Sequence, residues 1–187
     1  MTLSDIVVPT YVQMLRALSA WLAKAQAQTL GQEAEALLSA RLAPDMFPLS
    51  TQVRFACVQA QEGVFRLQGT VLPASIDILL NEGRNAAEHP GSIADAQARI
   101  EETLRIVEAV PRTSLDIDPE TPIAHALPAG MIFDLTAEQY VRDWTLPQFY
   151  FHVMAAYAIL RAAGVDLSKT DYVAHMLPYL RPGTMPS

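Results

Sequence analysis

Cysteine, lysine and charged residues in general are scarce in this chain. Its single cysteine, Cys57, cannot form a disulfide within the chain, so a reducing compartment is expected. Only two lysines accompany 11 scattered arginines, and the net charge is −7. A chain without a basic stripe has little attraction for phosphate backbones or anionic lipid. We therefore expect neither nucleic-acid binding nor membrane association.

A secretory leader and a long apolar run are also missing. The opening residues, MTLSDIVVP, lack the positive start and the small-residue cleavage site of a signal peptide. The longest apolar run, Phe149 to Leu160, contains His152 and is shorter than the ~20 residues that a membrane helix needs. The sequence therefore predicts a cytoplasmic protein.

Hydrophobic residues, by contrast, are abundant: they make up 51% of the 187 residues, against 18% charged residues. A chain of this length is most simply one domain, here residues 1–187, with a sizeable core that needs no disulfide or metal. Because apolar surface is so plentiful, part of it is expected to be buried between subunits, which favours a homodimer.

Four long segments carry apolar residues at spacings of three and four, which is the pattern of amphipathic helices. They run from Ser4 or Pro9 to Thr29, from Pro48 or Leu49 to Leu67, from Ser92 to Pro111 and from Thr136 to Gly164. Shorter helices are expected at residues 32–40, 75–87 and 168–177. Since the connections are mostly short, the sequence predicts an all-α four-helix bundle with accessory helices.

Irregular structure is expected before and inside the last long helix. The segments Ile123 to Leu127 and Met131 to Leu135 are typical of short strands, with a turn at Pro128-Ala129-Gly130. A small β-hairpin is therefore predicted in front of that helix. Within the helix, Pro147 removes a backbone donor and clashes with the preceding turn, so we expect a kink or a division there.

His152 is the most conspicuous ionisable residue, because it lies in the otherwise apolar stretch LPQFYFHVMAAYAILRAAG. A buried titratable group among apolar residues is unfavourable without a partner, which makes the case for a functional role stronger than for a usual core histidine, though not stronger than the structural alternative. His152 could be a metal ligand, a general base or a polar hook in a pocket. The alternative is a core histidine whose nitrogens are satisfied by neighbouring groups. Ala155 and Ala156 leave room beside it for a cavity or for close helix packing.

Asp45 is the candidate partner of His152, as a ligand or as a carboxylate that orients the imidazole. It lies in the proline-bracketed turn APDMFPLS, where a turn-stabilising or capping role is the alternative. The same two segments contribute Phe47, Phe149 and Ala156, which are expected to line a ligand pocket with His152.

Two further sets of residues have a structural explanation as their default. Tyr150, Met154 and Tyr157 share one side of the last helix and could line an apolar ligand site or a dimer interface, but core packing is the simpler interpretation. Cys57 lies on the apolar stripe of the second long helix and is expected to be a buried, inert thiol.

The remaining histidines, His89, His125 and His175, show no metal-type spacing and are predicted to be surface groups. The Asp116-Ile-Asp118 sequence resembles part of a cation loop but lacks the Gly and Glu that would follow, so it is interpreted as a polar connection.

Two long segments carry a resemblance to a known family. RLAPDMFPLSTQV (Arg41 to Val53) and LPQFYFHVMAAYAILRAAGV (Leu146 to Val165) resemble the signatures of an uncharacterised bacterial domain family in the DinB/YfiT-like superfamily. The order of elements is similar from MLRALSAWL to GVDLSK, across nearly the whole chain. The resemblance implies the helical bundle of that superfamily and pairing of subunits along a helix face.

The superfamily holds a divalent metal ion with three histidines, one from the second helix and two from the fourth at a spacing of four residues. Imidazoles at that spacing share a helix face, and a third from a neighbouring helix leaves coordination sites open. Here His152 matches one fourth-helix position, but Ala156 stands at the other and the second long helix has no histidine. Thiol-transferring relatives depend on that metal, so their activity does not carry over.

The sequence thus leaves three hypotheses for function. The first is a soluble bundle protein that binds a small apolar or thiol-type ligand near His152, with no metal or other cofactor. The second is a divalent-metal-dependent transferase or hydrolase in which carboxylates or water complete the coordination of His152. The third is a purely structural dimer with no pocket.

Overall fold

The computed structural model describes residues 2–29, 31–127 and 130–184. In chain order the helices are α1 (Leu3–Gln28), α2 (Gln32–Ala36), α3 (Leu49–Leu67), α4 (Ala74–Arg84), α5 (Ile93–Ala109), α6 (Ala137–Gln139), α7 (Leu146–Ala162) and α8 (Lys169–Tyr172). Short 3₁₀ turns lie at Leu37–Ser39, Arg112–Ser114 and Ala174–Tyr179. Strands β1 (Pro122–Ala126) and β2 (Ile132–Thr136) pair antiparallel.

The long helices α1, α3, α5 and α7 form the bundle, and α3 is its centre because it packs against the other three and against α4. Each long helix contributes fully buried apolar side chains to one shared core, among them Leu15, Val53, Ile100 and Phe149. The predicted all-α bundle with a small hairpin before the last long helix is confirmed. Part of the predicted turn, Pro128 and Ala129, lies outside the described residues.

The sequence left two starts open for the first helix, Ser4 and Pro9. The helix begins at Leu3, so Pro9 lies inside it. A capping box at Thr2 and Asp5 satisfies the first backbone donors of α1. The Ser4 amide donates to Asp116 Oδ1 at 3.2 Å, which ties the first turn to the polar connection after α5. These bonds hold the turn in front of Pro9 and offset the hydrogen bond that the proline cannot make.

A π-helical segment, Tyr140–Thr145, joins α6 to α7 and explains how the chain accommodates Pro147. The predicted capping box at Thr136 and Gln139 starts this helical region. In a regular α-helix Pro147 would lack one backbone bond and clash with the preceding turn, whereas the wider π turn relieves that conflict. The helix is therefore divided just before Pro147, and Pro147 lies in the first turn of α7.

The C-terminal part is less regular than the single short helix that the sequence predicted. Ser168 caps α8, which is followed by the 3₁₀ turn Ala174–Tyr179.

The helix that has the length and apolar composition of a membrane span is α1, and not the one that contains the apolar run Phe149 to Leu160. Half of its apolar window is buried against other helices, and core helices of soluble proteins share these properties. The fold resembles that of soluble proteins, and the cytoplasmic location stays a prediction.

Candidate functional site

A cavity of about 600 Å³ lies between α3, α4, the hairpin and the junction of the π segment with α7. We call it the histidine cavity, because His125 and His152 both line it. Its apolar wall consists of Phe47, Phe55, Val58, Leu80, Ala126 and Leu127. Its polar lining consists of Gln59, Glu62, Arg84, Trp144 and the two histidines. Both the volume and the mixture of aromatic walls with a few polar groups are typical of small-molecule sites.

His152 is positioned by α7 and held by α3. Its side chain is 8% exposed, and its Nδ1 lies 2.9 Å from the Gln52 side-chain oxygen Oε1. The amide orientation is fixed because Gln52 Nε2 donates to the Phe47 carbonyl at 3.2 Å. Oε1 can only accept, so Nδ1 carries the hydrogen and donates it. The lone pair is then on Nε2, which no described protein group hydrogen-bonds.

Burial keeps His152 neutral. Loss of solvent around the ring lowers the pKa of His152 from 6.5 to about 4. Two aromatic rings, Phe55 and Phe151, stand edge-on to the imidazole with centroids 5.4 Å and 5.2 Å away. At physiological pH the ring is therefore an uncharged donor and acceptor in a largely aromatic surrounding.

His125 was predicted to be a surface group, and that prediction is wrong. It lies in β1 on the face that points inward and is only 2% exposed. Its ring packs on Trp144 and Tyr140, with centroids 4.5 Å and 5.6 Å away. Burial, with a smaller contribution from the positive charge of Arg66, lowers the pKa of His125 to about 4. Neither ring nitrogen has a hydrogen-bond partner among the described residues.

Three further buried polar atoms, Gln59 Oε1, Trp144 Nε1 and the Tyr140 hydroxyl, lack a partner in the described part of the chain. Gln59 and Trp144 line the same cavity, and the ring of Tyr140 packs on that of His125. Buried polar atoms are almost always paired in folded proteins, since an unpaired one costs about 1–3 kcal/mol. Two of these side chains come from the π segment, a kind of structure that recurs at functional sites.

The charged groups of the cavity are arranged with little net charge. Glu62 on α3 accepts a hydrogen bond from Arg66 Nη2 at 3.1 Å, so its carboxylate already has a cationic partner. Arg84, at the end of α4, is exposed to solvent and makes no ion pair with the described residues. The interior of the cavity is therefore neutral, with one free cation at its edge.

The predicted site residues are only partly brought together. Phe47 and His152 line the histidine cavity. Phe149 and Ala156 are fully buried in the bundle core instead, where Phe149 packs on Tyr11 with ring centroids 4.8 Å apart. Asp45 is exposed and makes no hydrogen bond to His152, so the predicted carboxylate–imidazole pair is wrong. The amide of Gln52 takes the place that Asp45 was expected to fill.

The other candidates lie outside the lining of the histidine cavity. Cys57 is buried, and burial raises the pKa of its thiol to about 12, so it is inert. Tyr157 packs on Trp21 with ring centroids 5.2 Å apart, and Met154 is 40% exposed. His89 is exposed, as predicted.

A second cavity, of about 630 Å³, lies beside α1 and the C-terminal turn. It is lined mainly by aliphatic side chains such as Val8 and Val12. One unpartnered buried atom among the described residues, His175 Nδ1, belongs to it. The half-buried position of His175 also differs from the predicted surface position. The histidine cavity holds more unpaired polar atoms and is therefore the stronger candidate site.

The donor set does not fit the three-histidine metal site that the superfamily resemblance implies. The described residues contain no group of three or more His, Cys, Asp or Glu side chains placed to hold a metal ion. Besides the imidazoles of His152 and His125, the carboxylate that lines the cavity, Glu62, is already paired with Arg66. A divalent ion needs more free ligands than this cavity offers.

Sequence reasoning missed His125, Gln52, Gln59 and Trp144. The alternation of β1 gave one usable signal, because His125 follows Ile123 by two residues and both fall on the buried face. The glutamines gave none, since their roles depend on which atoms the neighbouring helices bring near them.

Comparisons with known proteins agree with this fold. A family model for a domain of unknown function (DUF1993) matches residues 3–173. No protein with a curated description matches the chain. Among solved structures, the crystal structure of a DinB family member protein from Shewanella denitrificans is similar, with a TM-score of 0.72 and 29% sequence identity, over 98% of this chain and 96% of that chain. The resemblance to an uncharacterised family with a DinB-like fold is confirmed.

Proposed function

The chain belongs to the DUF1993 family of domains of unknown function, and within its DinB-like bundle we propose that the histidine cavity binds a small organic ligand with a mainly apolar body. One observation carries the proposal: a cavity of about 600 Å³ with aromatic walls is lined by His125, Gln59 and Trp144, side chains whose buried polar atoms have no partner among the described residues. Cavities of this size and lining are typical of small-molecule sites.

The walls of the cavity support an apolar ligand body. Phe47 and Phe55 pack edge to face with ring centroids 5.6 Å apart, and Phe55 contacts the ring of His152. Phe47 is 49% exposed, so its ring meets solvent at the edge of the site. Burial of apolar ligand surface against these rings contributes about 25 cal/mol per Å². The ligand class expected from the sequence, a small apolar or thiol-type compound, is compatible with such walls.

A pair of matched variants tests the site. Leu80→Trp fills the histidine cavity, and Val12→Trp fills the second cavity with the same side chain from a comparably half-buried position. Binding of an apolar fluorescent dye, N-phenyl-1-naphthylamine, would be measured in the native protein and in both variants. Saturable binding that Leu80→Trp abolishes and Val12→Trp preserves is expected. Absence of saturable binding, or its loss only in Val12→Trp, would contradict the proposal.

The metal-dependent enzyme is the competing hypothesis, and the donor set described above speaks against it. It makes a separate prediction: protein purified without chelators would carry a near-stoichiometric divalent metal that His152→Ala removes. Elemental analysis after incubation with zinc, nickel and manganese distinguishes the two hypotheses. We expect no stoichiometric metal that depends on His152.

The homodimer remains a proposal as well. On α7 the side chains of Phe151 and Met154 are 58% and 40% exposed, although the opposite side of the helix is buried. Contiguous exposed apolar groups of this kind often mark subunit contacts. This face of α7 is therefore the surface on which we expect two copies of the chain to pair.

A further inference from the structure

Resting on the ligand site proposed above, we infer that the ligand of the histidine cavity carries an uncharged hydroxyl group on an aromatic body, as a phenol does, and that this hydroxyl donates its hydrogen to His152 Nε2. The inference concerns one hydrogen bond at one atom, whereas the proposed function concerns only the existence of the site and its apolar walls. The two can therefore fail separately.

The surroundings of His152 fix which ring nitrogen carries the hydrogen. Nδ1 lies 2.9 Å from Gln52 Oε1, and the Gln52 amide is held in place because its Nε2 donates to the Phe47 carbonyl at 3.2 Å. Turning the amide over would place its oxygen against that carbonyl, so Oε1 stays toward the imidazole and accepts. A neutral imidazole has a single N–H group. Gln52 therefore assigns the hydrogen to Nδ1 and the lone pair to Nε2.

The Nε2 atom of His152 is open to a ligand. It has no hydrogen-bond partner among the described residues, but unlike both nitrogens of His125 it is not enclosed by protein atoms. The His152 side chain lines the histidine cavity, whereas Gln52, which occupies Nδ1, does not. The lone pair of Nε2 is therefore the acceptor that His152 presents to a molecule in this cavity.

This lone pair selects the kind of group that binds to it. An O–H group donates to it, whereas a carboxylate or an ether would bring a second lone pair against it. An ammonium group would lose its hydration among aromatic rings, and the carboxylate that lines the cavity, Glu62, is already paired with Arg66. Burial lowers the pKa of His152 to about 4, so near neutral pH the ring stays uncharged and its lone pair stays available. An uncharged donor is therefore favoured over either ion.

The rings next to His152 favour an aromatic body for the ligand. Phe55 lines the cavity and stands edge-on to the imidazole, with centroids 5.4 Å apart and an interplanar angle of 80°. Phe47 packs on Phe55 in the same manner, with centroids 5.6 Å apart. An aromatic ligand can continue this arrangement, and ring pairs of this geometry attract each other beyond the burial of their area. A hydroxyl group on such a ring suits both the walls and the acceptor.

Three naphthalenes that differ in one substituent test the inference. 2-Naphthol has the donor, its methyl ether 2-methoxynaphthalene lacks it, and 2-naphthoate carries a negative charge. Each would be titrated at pH 7.5 into the full-length protein, with affinity measured by calorimetry or by displacement of the apolar dye. We expect 2-naphthol to bind most tightly.

A variant of the acceptor isolates the hydrogen bond. His152→Phe keeps a ring but removes Nε2, so the preference for 2-naphthol over its methyl ether should fall about 3–10-fold, the worth of one neutral hydrogen bond. Because the same two ligands are compared in both proteins, their differences in size and hydration cancel. His89→Phe, at an exposed position outside the lining of the cavity, is the matched control and should leave the preference unchanged.

Nitrogen-15 NMR of the histidine rings gives a second measurement, which carries the test if His152→Phe does not fold. In the native protein at pH 7.5 the hydrogen of His152 should be on Nδ1. Addition of 2-naphthol should shift the Nε2 resonance, because the lone pair then accepts a hydrogen, whereas 2-methoxynaphthalene should shift it less.

The outcomes separate the two proposals. An unchanged preference in His152→Phe, a hydrogen on Nε2, or an Nε2 resonance that responds equally to both ligands would overturn the hydroxyl inference, while the dye still reports a ligand site. Tightest binding of 2-naphthoate would also overturn it, in favour of an anionic ligand. If neither the dye nor any of the three naphthalenes binds, the proposed function itself fails.

Discussion

Because of its two buried histidines, this protein should lose stability steeply as the pH is lowered through a range where few other groups titrate. Burial lowers the pKa of His125 and of His152 from 6.5 to about 4. Between these values the unfolded chain binds protons that the folded chain does not. By linkage, stability is fully present above pH 6.5 and is lost as the pH falls toward 4.

The magnitude follows from the pKa values. At pH 5 an unfolded histidine is almost fully protonated while the folded one is almost fully neutral, and each pKa unit corresponds to about 1.4 kcal/mol. The two histidines are 2% and 8% exposed. Each therefore lowers the free energy of unfolding by about 2 kcal/mol at pH 5 relative to pH 7.5. Together they remove about 4 kcal/mol, a large part of the ~5–15 kcal/mol by which a domain is normally stable.

Urea unfolding followed by circular dichroism at pH 7.5, 6.0 and 5.0 measures the effect. His152→Gln and His125→Phe should each remove about half of the pH-dependent loss, since neither new side chain titrates in this range. His89→Gln, at an exposed position, is the control and should leave the loss intact. The carboxylates whose pKa is lowered, such as Glu82 and Asp95, lose their stabilising effect mostly below this range. A free energy of unfolding that stays constant from pH 7.5 to 5.0 would refute the burial of the neutral rings.

Three further predictions concern single contacts. Gln52→Glu places a carboxylate at the His152 Nδ1 hydrogen and should raise the pKa of His152, visible by NMR titration of the ring; an unchanged titration would contradict the contact. Gly83→Ala would put a methyl group against the Phe55 ring, closer than van der Waals contact allows, so this ring of the cavity wall must move; we expect a loss of about 1–3 kcal/mol in urea unfolding and changed dye binding. Phe151→Ser should shift a dimer toward monomer in size-exclusion chromatography with light scattering, whereas a native protein that is already monomeric would end the dimer proposal.

Local sequence signals predicted the secondary structure well where they are strong. Capping boxes at Ser92 and Thr136 mark two helix starts, because a side-chain oxygen three residues before an acidic or amide residue satisfies the first backbone donors. Pro147 indicated a break in the last helix, and the structure resolves it as a π segment. A rule about one residue predicts that regular hydrogen bonding fails there, but not which bonding pattern replaces it.

The candidate site was predicted only in its outline. His152 stood out because one ionisable residue interrupts an apolar helix, and Phe47 was expected nearby. The predicted contact between Asp45 and His152 is wrong. The Asp45 carboxylate lies on an exposed turn, where water hydrates it, and burying it beside an imidazole would cost that hydration. Gln52, a neutral amide on the neighbouring helix, fills that role without burying a charge.

The sequence by itself determined the helical periodicity, the caps, the family resemblance and the departure from the three-histidine pattern, because each of these depends on residues a few positions apart or on residue identity. Only the tertiary structure decided that His125, Gln59 and Trp144 meet in one cavity. They come from a strand, a bundle helix and a π segment far apart in the chain. Hydrogen-bond satisfaction is a property of neighbours in space, so no spacing along the sequence could reveal that these polar atoms are buried without partners.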